Sequence, residues 1–376
     1  MSEYFRYPSI VKVDDYYYLS ININHPLYGY TKIFKLDKNF NKLEENIVEK
    51  AQHFISHNFT IFRNKENSQM LGLGGLIRNQ KPFYHSIHMK LTPIKMNALI
   101  ADNLINKENS GIYLFNSKNY KNFDINPVPI LKISSFPKNA TLAPKGKKKY
   151  EQKAPEFDSN ICCFFSTILN KYVLFFRANV FKGCRSVQFT TTNDFSSWDQ
   201  VTRINLPGFR FGYDKVKADN LYMFKCIEFK KEKILFGLSI FTNDKIKPTQ
   251  SYVKKMISYD AKNWIDLGKL IDVPMFKDKI HANIHVAEIL FDENSNILDI
   301  FLHHACFKSN SCIKKYTFVL DQNNVIEQLQ SLVCNTEDST DIISFNYQPT
   351  PLYKDPEILR RAREIGEKFR TNNKKN

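Results

Sequence analysis

The sequence predicts an all-β fold, a five-bladed β-propeller followed by a C-terminal helix, and three observations carry that prediction. The first is a turn signature, Ser/Thr-x-Asp/Asn-x-x-x-aromatic, at residues 117–123, 192–198 and 258–264, with shorter forms at Asp37 and Asp321 that keep only the strand and the turn. The second is its period. Asp37, Asn119, Asp194, Asp260 and Asp321 recur at intervals that shrink smoothly over roughly 80 to 60 residues, longer than kelch or tryptophan–aspartate repeats, and they divide the chain into five units. The third is composition: 14% of residues are aromatic, they fall in short alternating runs of the kind that forms half-buried strands, and helical periodicity is convincing only near the C-terminus.

Strands at 9–13 and 16–21 complete the first unit and are placed to latch a ring, with 30–34 leading to Asp37. The second unit reads as a strand at 57–62, a turn at 64–69 and a strand at 70–74, before the turn at Asn119. The third has 157–165, a turn near Asn170 and Lys171, and 172–176; the fourth has 221–229, the turn 230–233, and 234–238. The fifth has 284–291, the turn 292–296, 297–301, and the run 316–320 before Asp321. A four-stranded antiparallel unit cannot bury both faces alone, so such units pack radially and close on themselves. In each signature a short Asp or Asn side chain accepts backbone N–H groups after a strand, and the aromatic folds back over the joint. Trp198 and Trp264 are therefore expected to be buried, and the five Asp/Asn residues to be architectural.

The propeller is assigned to residues 1–352 and the terminal segment to 353–376. Asp355 and Pro356 fit an N-cap and a first helical position, and Ile358, Leu359, Ala362, Ile365 and Phe369 then share one face, which predicts a docking helix ahead of a basic tail.

The net charge of +16 comes mostly from scattered lysines, clustering only at 145–149 and in the tail, without the interleaved aromatics of a single-strand binder. A nucleic-acid partner is not expected. No apolar run reaches the roughly 18 residues of a membrane span, and the start lacks a secretory core, so the expected location is cytoplasmic. Seven cysteines without a Cys-x-x-Cys pair indicate neither a disulfide framework nor a zinc knuckle. The histidine pairs 53/57, 85/88, 281/285 and 303/304 have no carboxylate or thiolate at ligand spacing, so no metal or cofactor is expected.

In a propeller the leading end of each innermost strand points into the central mouth. Asp158, Asp219, His285 and Asn58 each stand about a dozen residues ahead of an inner turn, which brings four blades together there. Glu228 and Glu288 lie nearer the turns and are second choices. Two carboxylates facing each other across a funnel suit glycosidic chemistry, one protonated to assist the leaving oxygen and one ionised. Strand capping by Asp158 and Asp219 is the architectural alternative.

The stretch from Glu156, Phe157, Asp158 and Ser159 through 171–179 and Gly183, Cys184 and Arg185 to the 192–198 signature resembles the middle blades of five-bladed propeller glycosidases, the arabinanase/xylosidase and fructosidase-like enzymes and their relatives. His57, Asn58, Phe59 and Thr60 with 72–75 look like their early blade, and 219–222 like the blade carrying the acid. The resemblance implies an early aspartate as base or nucleophile, a middle aspartate that orients substrate, and a later glutamate as acid. Asp158 matches the middle group, Asp219 or Glu228 stands in the third place, and Asn64 occupies the first. Together with the counting from turns, it makes His57, Asn58, Asn64, Arg177, Arg185, His285 and Glu288 the substrate-binding candidates. An asparagine accepts no proton and does not attack as a carboxylate does. Two readings follow: a glycoside hydrolase-like protein that acts on or binds a glycan or sugar derivative in the mouth, or a non-catalytic glycan-binding or assembly propeller with a degenerate site.

Overall fold

A computed structural model describes residues 4–24, 29–48, 58–67, 69–75, 111–117, 119–120, 122–126, 128–132, 161–179, 185–209, 219–243, 250–273, 284–305 and 311–344. They form five antiparallel sheets in chain order. Blade 1 is β1 (Tyr4–Val13), β2 (Tyr16–Asn24), β3 (Gly29–Leu36) and β4 (Lys42–Ile47). Blade 2 is β5 (Thr60–Arg63), β6 (Met70–Gly75), β7 (Gly111–Ser117) and β8 (Phe123–Ile125), with the short β9 (Leu131–Lys132) also on β7. Blade 3 is β10 (Cys162–Ser166), β11 (Lys171–Asn179), β12 (Arg185–Thr192) and β13 (Thr202–Arg203). Blade 4 is β14 (Asp219–Phe229), β15 (Ile234–Asn243), β16 (Gln250–Ser258) and β17 (Trp264–Asp272). Blade 5 is β18 (Ile284–Asp292), β19 (Ile297–His304), β20 (Cys312–Val319) and β21 (Thr340–Ser344).

Five hydrophobic clusters sit at the five blade junctions: 1 with 2, 2 with 3, 3 with 4, 4 with 5, and 5 with 1. The last closes the ring. Strand periodicity builds these junctions, because successive side chains leave a strand on opposite faces. On β11, Val173 and Phe175 join the junction with blade 4, while Leu174 and Phe176 join that with blade 2. With both faces covered, such strands read as continuous apolar runs. Residues 9–13 and 16–21 do fall in the two inner strands of blade 1. Closure, however, comes from face packing between blades 1 and 5, since every sheet is made of consecutive strands.

The five Asp/Asn residues all follow the third strand of a blade. Asp37 accepts the N–H groups of Asn39 and Asn41, Asn119 that of Asn122, Asp194 that of Ser196, Asp260 those of Lys262 and Asn263, and Asp321 that of Asn323. The Ser/Thr heading the signature also works in the turn: the Thr192 hydroxyl accepts from Phe195 N at 3.0 Å. The next residue takes a left-handed backbone at Tyr120, Phe195 and Ala261. Trp264 is 1% exposed, packs edge-on against Phe224 and Phe175, and donates its Nε1–H to the Ala261 carbonyl. A Cβ on Gly237 would come within 2.8 Å of its ring, so this joint needs glycine. Trp198 departs from the expectation of burial: its ring is only partly buried, beside Phe195.

The expected helix after Asp355, and the domain boundary before it, lie outside the described residues. A different helix, α1 (Val325–Ser331), is inserted between β20 and β21. Val325 and Leu329 turn into the junction of blades 4 and 5, and buried Lys255 of β16 donates to the carbonyls of Gln330 and Leu332 at 2.6 Å each, capping the end of α1 where those groups lack helical partners. No helix among the described residues is long and apolar enough to cross a membrane.

Candidate functional site

The first hairpin of each blade turns at one end of the ring, and the innermost strands therefore begin at the other, the mouth. Three of them carry a bulge near that end. One extra residue is inserted between Arg6 and Ser9 in β1, between Tyr222 and Lys225 in β14, and between Val286 and Glu288 in β18. Tyr7 and Met223 take positive φ there. A bulge resets the alternation of the strand and re-aims the side chains on either side of it.

On the mouth side of the bulges, the Tyr7 and Tyr222 hydroxyls meet at 3.0 Å. They come from blades 1 and 4, which do not adjoin, so this hydrogen bond spans the axis. The Arg185 guanidinium stands 4.7 Å from the Tyr222 ring centroid and that of Arg177 5.8 Å from it, both within cation–π range. His285, 2% exposed, meets Tyr222 edge-on at 6.2 Å and His303 at 6.0 Å. His303 in turn stacks on Phe5 at 4.0 Å and pairs through Nε2 with the Ser311 hydroxyl. Burial drives the pKa of His303 well below the ordinary imidazole value, so the ring is neutral. Asp219 opens β14, 3% exposed, and the amide oxygen of Asn220 beside it accepts the Arg185 N–H at 2.8 Å, tying blade 4 to blade 3 at the rim.

Below the bulges the axis is closed by an ion pair. Lys225 Nζ lies 2.9 Å from Glu288 Oε2 and reaches Thr60 of blade 2, while Glu288 also accepts from the amides of Ile10 and Ile289. Under this plug a 920 Å3 cavity opens toward the hairpin face, at the end opposite the mouth.

The anticipated site residues therefore separate. Asp219, Arg177, Arg185 and His285 come together at the mouth. Asn58 is at the mouth end of blade 2, fully buried, with its amide oxygen accepting from Gly75 N at 3.2 Å. Glu288 belongs to the axial plug. Two placements require correction. Glu228 caps the neighbouring hairpin turn, accepting from Ser166, Thr167 and Ile168; it lies nine residue steps along β14 from Asp219, about 30 Å at strand rise, so these two cannot flank one bond. Asn64 lies in the β5–β6 turn, accepting from the Tyr172 hydroxyl and Glu66 N at 2.9 Å, again at the hairpin face. The residue at the leading end of that blade is Asn58, also an amide. Asp158 and His57 lie outside the described residues.

Tyr7 and Lys225 were not singled out from the sequence, and Tyr222 and His303 entered only within the 219–222 stretch and the 303/304 pair. A faint signal existed for Lys225, a lysine within the apolar run 221–227, since a buried charge requires a partner.

These observations define a five-bladed β-propeller with a polar, aromatic-rich mouth and a sealed axis. No family model matches the chain, and no curated protein matches it in sequence. Among solved structures, the RS223 β-xylosidase is similar in fold, with a TM-score of 0.51 at 9% identity over 85% of this chain and 94% of that one. An α-L-arabinofuranosidase from Clostridium thermocellum has a TM-score of 0.48 at 12% identity over 89% and 96%, and an N-acetylgalactosamine deacetylase from F. plautii 0.49 at 11% over 80% and 80%.

Proposed function

We propose that this protein is a glycoside hydrolase-like propeller that acts on or binds a glycan or sugar derivative in its mouth. The observation that carries the reading is the gathering of Asp219, Arg177, Arg185, Tyr222 and His285 from three blades above a closed floor. Aromatic faces with a few fixed donors and one carboxylate are what a small polar ligand needs for orientation, and the Tyr7–Tyr222 bond spans the axis beside them. The likeness to a β-xylosidase supports the same reading at the level of fold.

A non-catalytic version is favoured by a specific observation. Asp219 is the one carboxylate at the mouth end of the innermost strands among the described residues, Asn58 holds the equivalent end of blade 2, and Glu228 is committed to a turn. Hydrolysis by paired carboxylates then needs a second carboxylate from outside the described residues, for which Asp158 is the sequence candidate. Five described cysteines are unpaired thiols, four of them buried, which fits a reducing compartment such as the cytosol.

Thermal unfolding of the intact chain against a panel of monosaccharides and oligosaccharides tests the proposal. A specific sugar raises the midpoint with concentration as mass action requires. A flat response across the panel at millimolar concentrations contradicts it.

A further inference from the structure

We infer that the mouth selects an anionic sugar, one bearing a carboxylate or phosphate, and that Arg185 is the group that reads the charge. The inference rests on the carbohydrate reading above and adds its substrate class. Arg185 is the first residue of β12, and its backbone is fixed at the rim by Asn220. Its guanidinium lies against the face of Tyr222, yet its Nε is buried and makes no hydrogen bond with the protein. Among the described residues Arg185 also forms no ion pair, whereas the axial lysine Lys225 and the half-buried Lys32 both do. The residue is only partly buried, but its Nε is a donor withdrawn from water and left unspent, a costly arrangement in the empty protein. It becomes favourable when a planar anion takes the fork, because guanidinium binds carboxylate and phosphate through two parallel charge-assisted hydrogen bonds. Arg177, buried, stands at the same ring, which places a second guanidinium within about 10 Å of the first. Tyr222 holds the Arg185 plane by cation–π contact, and its own hydroxyl is fixed by Tyr7, so the cationic face is presented in one orientation. A neutral sugar offers no planar anion to pair with the Arg185 fork, so the anion is the part of the ligand this geometry distinguishes.

The test is calorimetric titration of the full chain with matched sets in the gluco, galacto and manno series: the uronic acid, its uncharged methyl ester, the 6-phosphate and the parent sugar, with inorganic phosphate alone as a further arm. The expected result is at least tenfold tighter binding of the acid or the 6-phosphate than of the ester and parent, with the preferred of the two identifying the anion. Raising the salt concentration should weaken the charged ligand and leave the neutral one unchanged. Arg185→Gln should remove most of the preference, and Arg185→Lys, which keeps charge but loses the fork, should retain part of it. The salt series on the unaltered chain decides the matter even where a variant folds poorly. Equal binding of ester and acid overturns the anionic inference and leaves the carbohydrate reading standing. Binding of inorganic phosphate with no response to any sugar overturns both, as does no binding at all.

Discussion

Removing one partner of the axial ion pair should cost this protein more than removing both. Lys225 is 2% and Glu288 12% exposed at the side chain, with 2.9 Å between nitrogen and oxygen. At an effective dielectric of about 20, that separation corresponds to an attraction of roughly 6 kcal/mol, most of it offset by the cost of taking two charges out of water. Lys225→Met keeps the length of the side chain but strands the carboxylate, which retains only the Ile10 and Ile289 amides at 3.4 and 3.3 Å. The expected loss is about 3–5 kcal/mol, the range for an uncompensated buried charge. The Lys225→Met/Glu288→Met double variant removes both charges and should recover at least about 2 kcal/mol of the summed single losses, a coupling that a double-mutant cycle reads directly. Urea unfolding followed by tyrosine fluorescence and by circular dichroism gives the four stabilities, with unchanged slopes showing that the variants unfold the same surface. Single variants within about 1 kcal/mol of the parent, or strictly additive losses, would refute the claim that the channel is sealed by a desolvated pair.

Two further predictions concern the joints and the buried histidines. Trp264→Ala should cost about 3–5 kcal/mol and Trp198→Ala less than half as much, because only the first ring is enclosed; equal losses in urea unfolding would show the two signatures to be equivalent after all. Burial, reinforced by the nearby Lys314 charge and opposed by Asp341, lowers the pKa of His304 to about 4. The folded protein therefore holds this ring neutral while the unfolded chain protonates near pH 6.5, so stability is complete above that value and is lost as pH falls toward 4, by about 3 kcal/mol in all. His304→Gln should flatten the slope between pH 6.5 and 4 in part, His303 contributing in the same direction, and an unchanged slope would count against it.

Much of the ring was legible in the sequence because its signals are local. A short Asp or Asn side chain caps its own turn, and the alternation along 172–176 is written in adjacent residues, so five blades and their inner hairpins could be read without a partner in view. The parts that escaped are non-local or depend on backbone states that residue type does not announce. Nothing about Met223 or Tyr7 signals a positive φ, yet these bulges decide that Tyr222 faces the mouth and Lys225 the axis. The Lys225–Glu288 pair joins the innermost strands of adjacent blades, 63 residues apart in sequence, and Glu228 and Asn64 entered the candidate site through the family resemblance although counting already placed them near turns. Helix α1 was missed because its seven residues are too few to show a period, and its anchor, Lys255, lies in another blade.

The central claim, that the mouth and not the hairpin face receives a carbohydrate, is tested most directly by saturation-transfer NMR with the best ligand from the sugar panel, comparing the parent chain with Asp219→Asn and Glu228→Gln. Both changes are isosteric, and they sit at opposite ends of the same strand. The account predicts that saturation of the sugar protons is lost with Asp219→Asn and retained with Glu228→Gln, even though the latter weakens a turn. Retention in the first variant with loss in the second would put the ligand in the cavity beneath the ion pair and contradict the account.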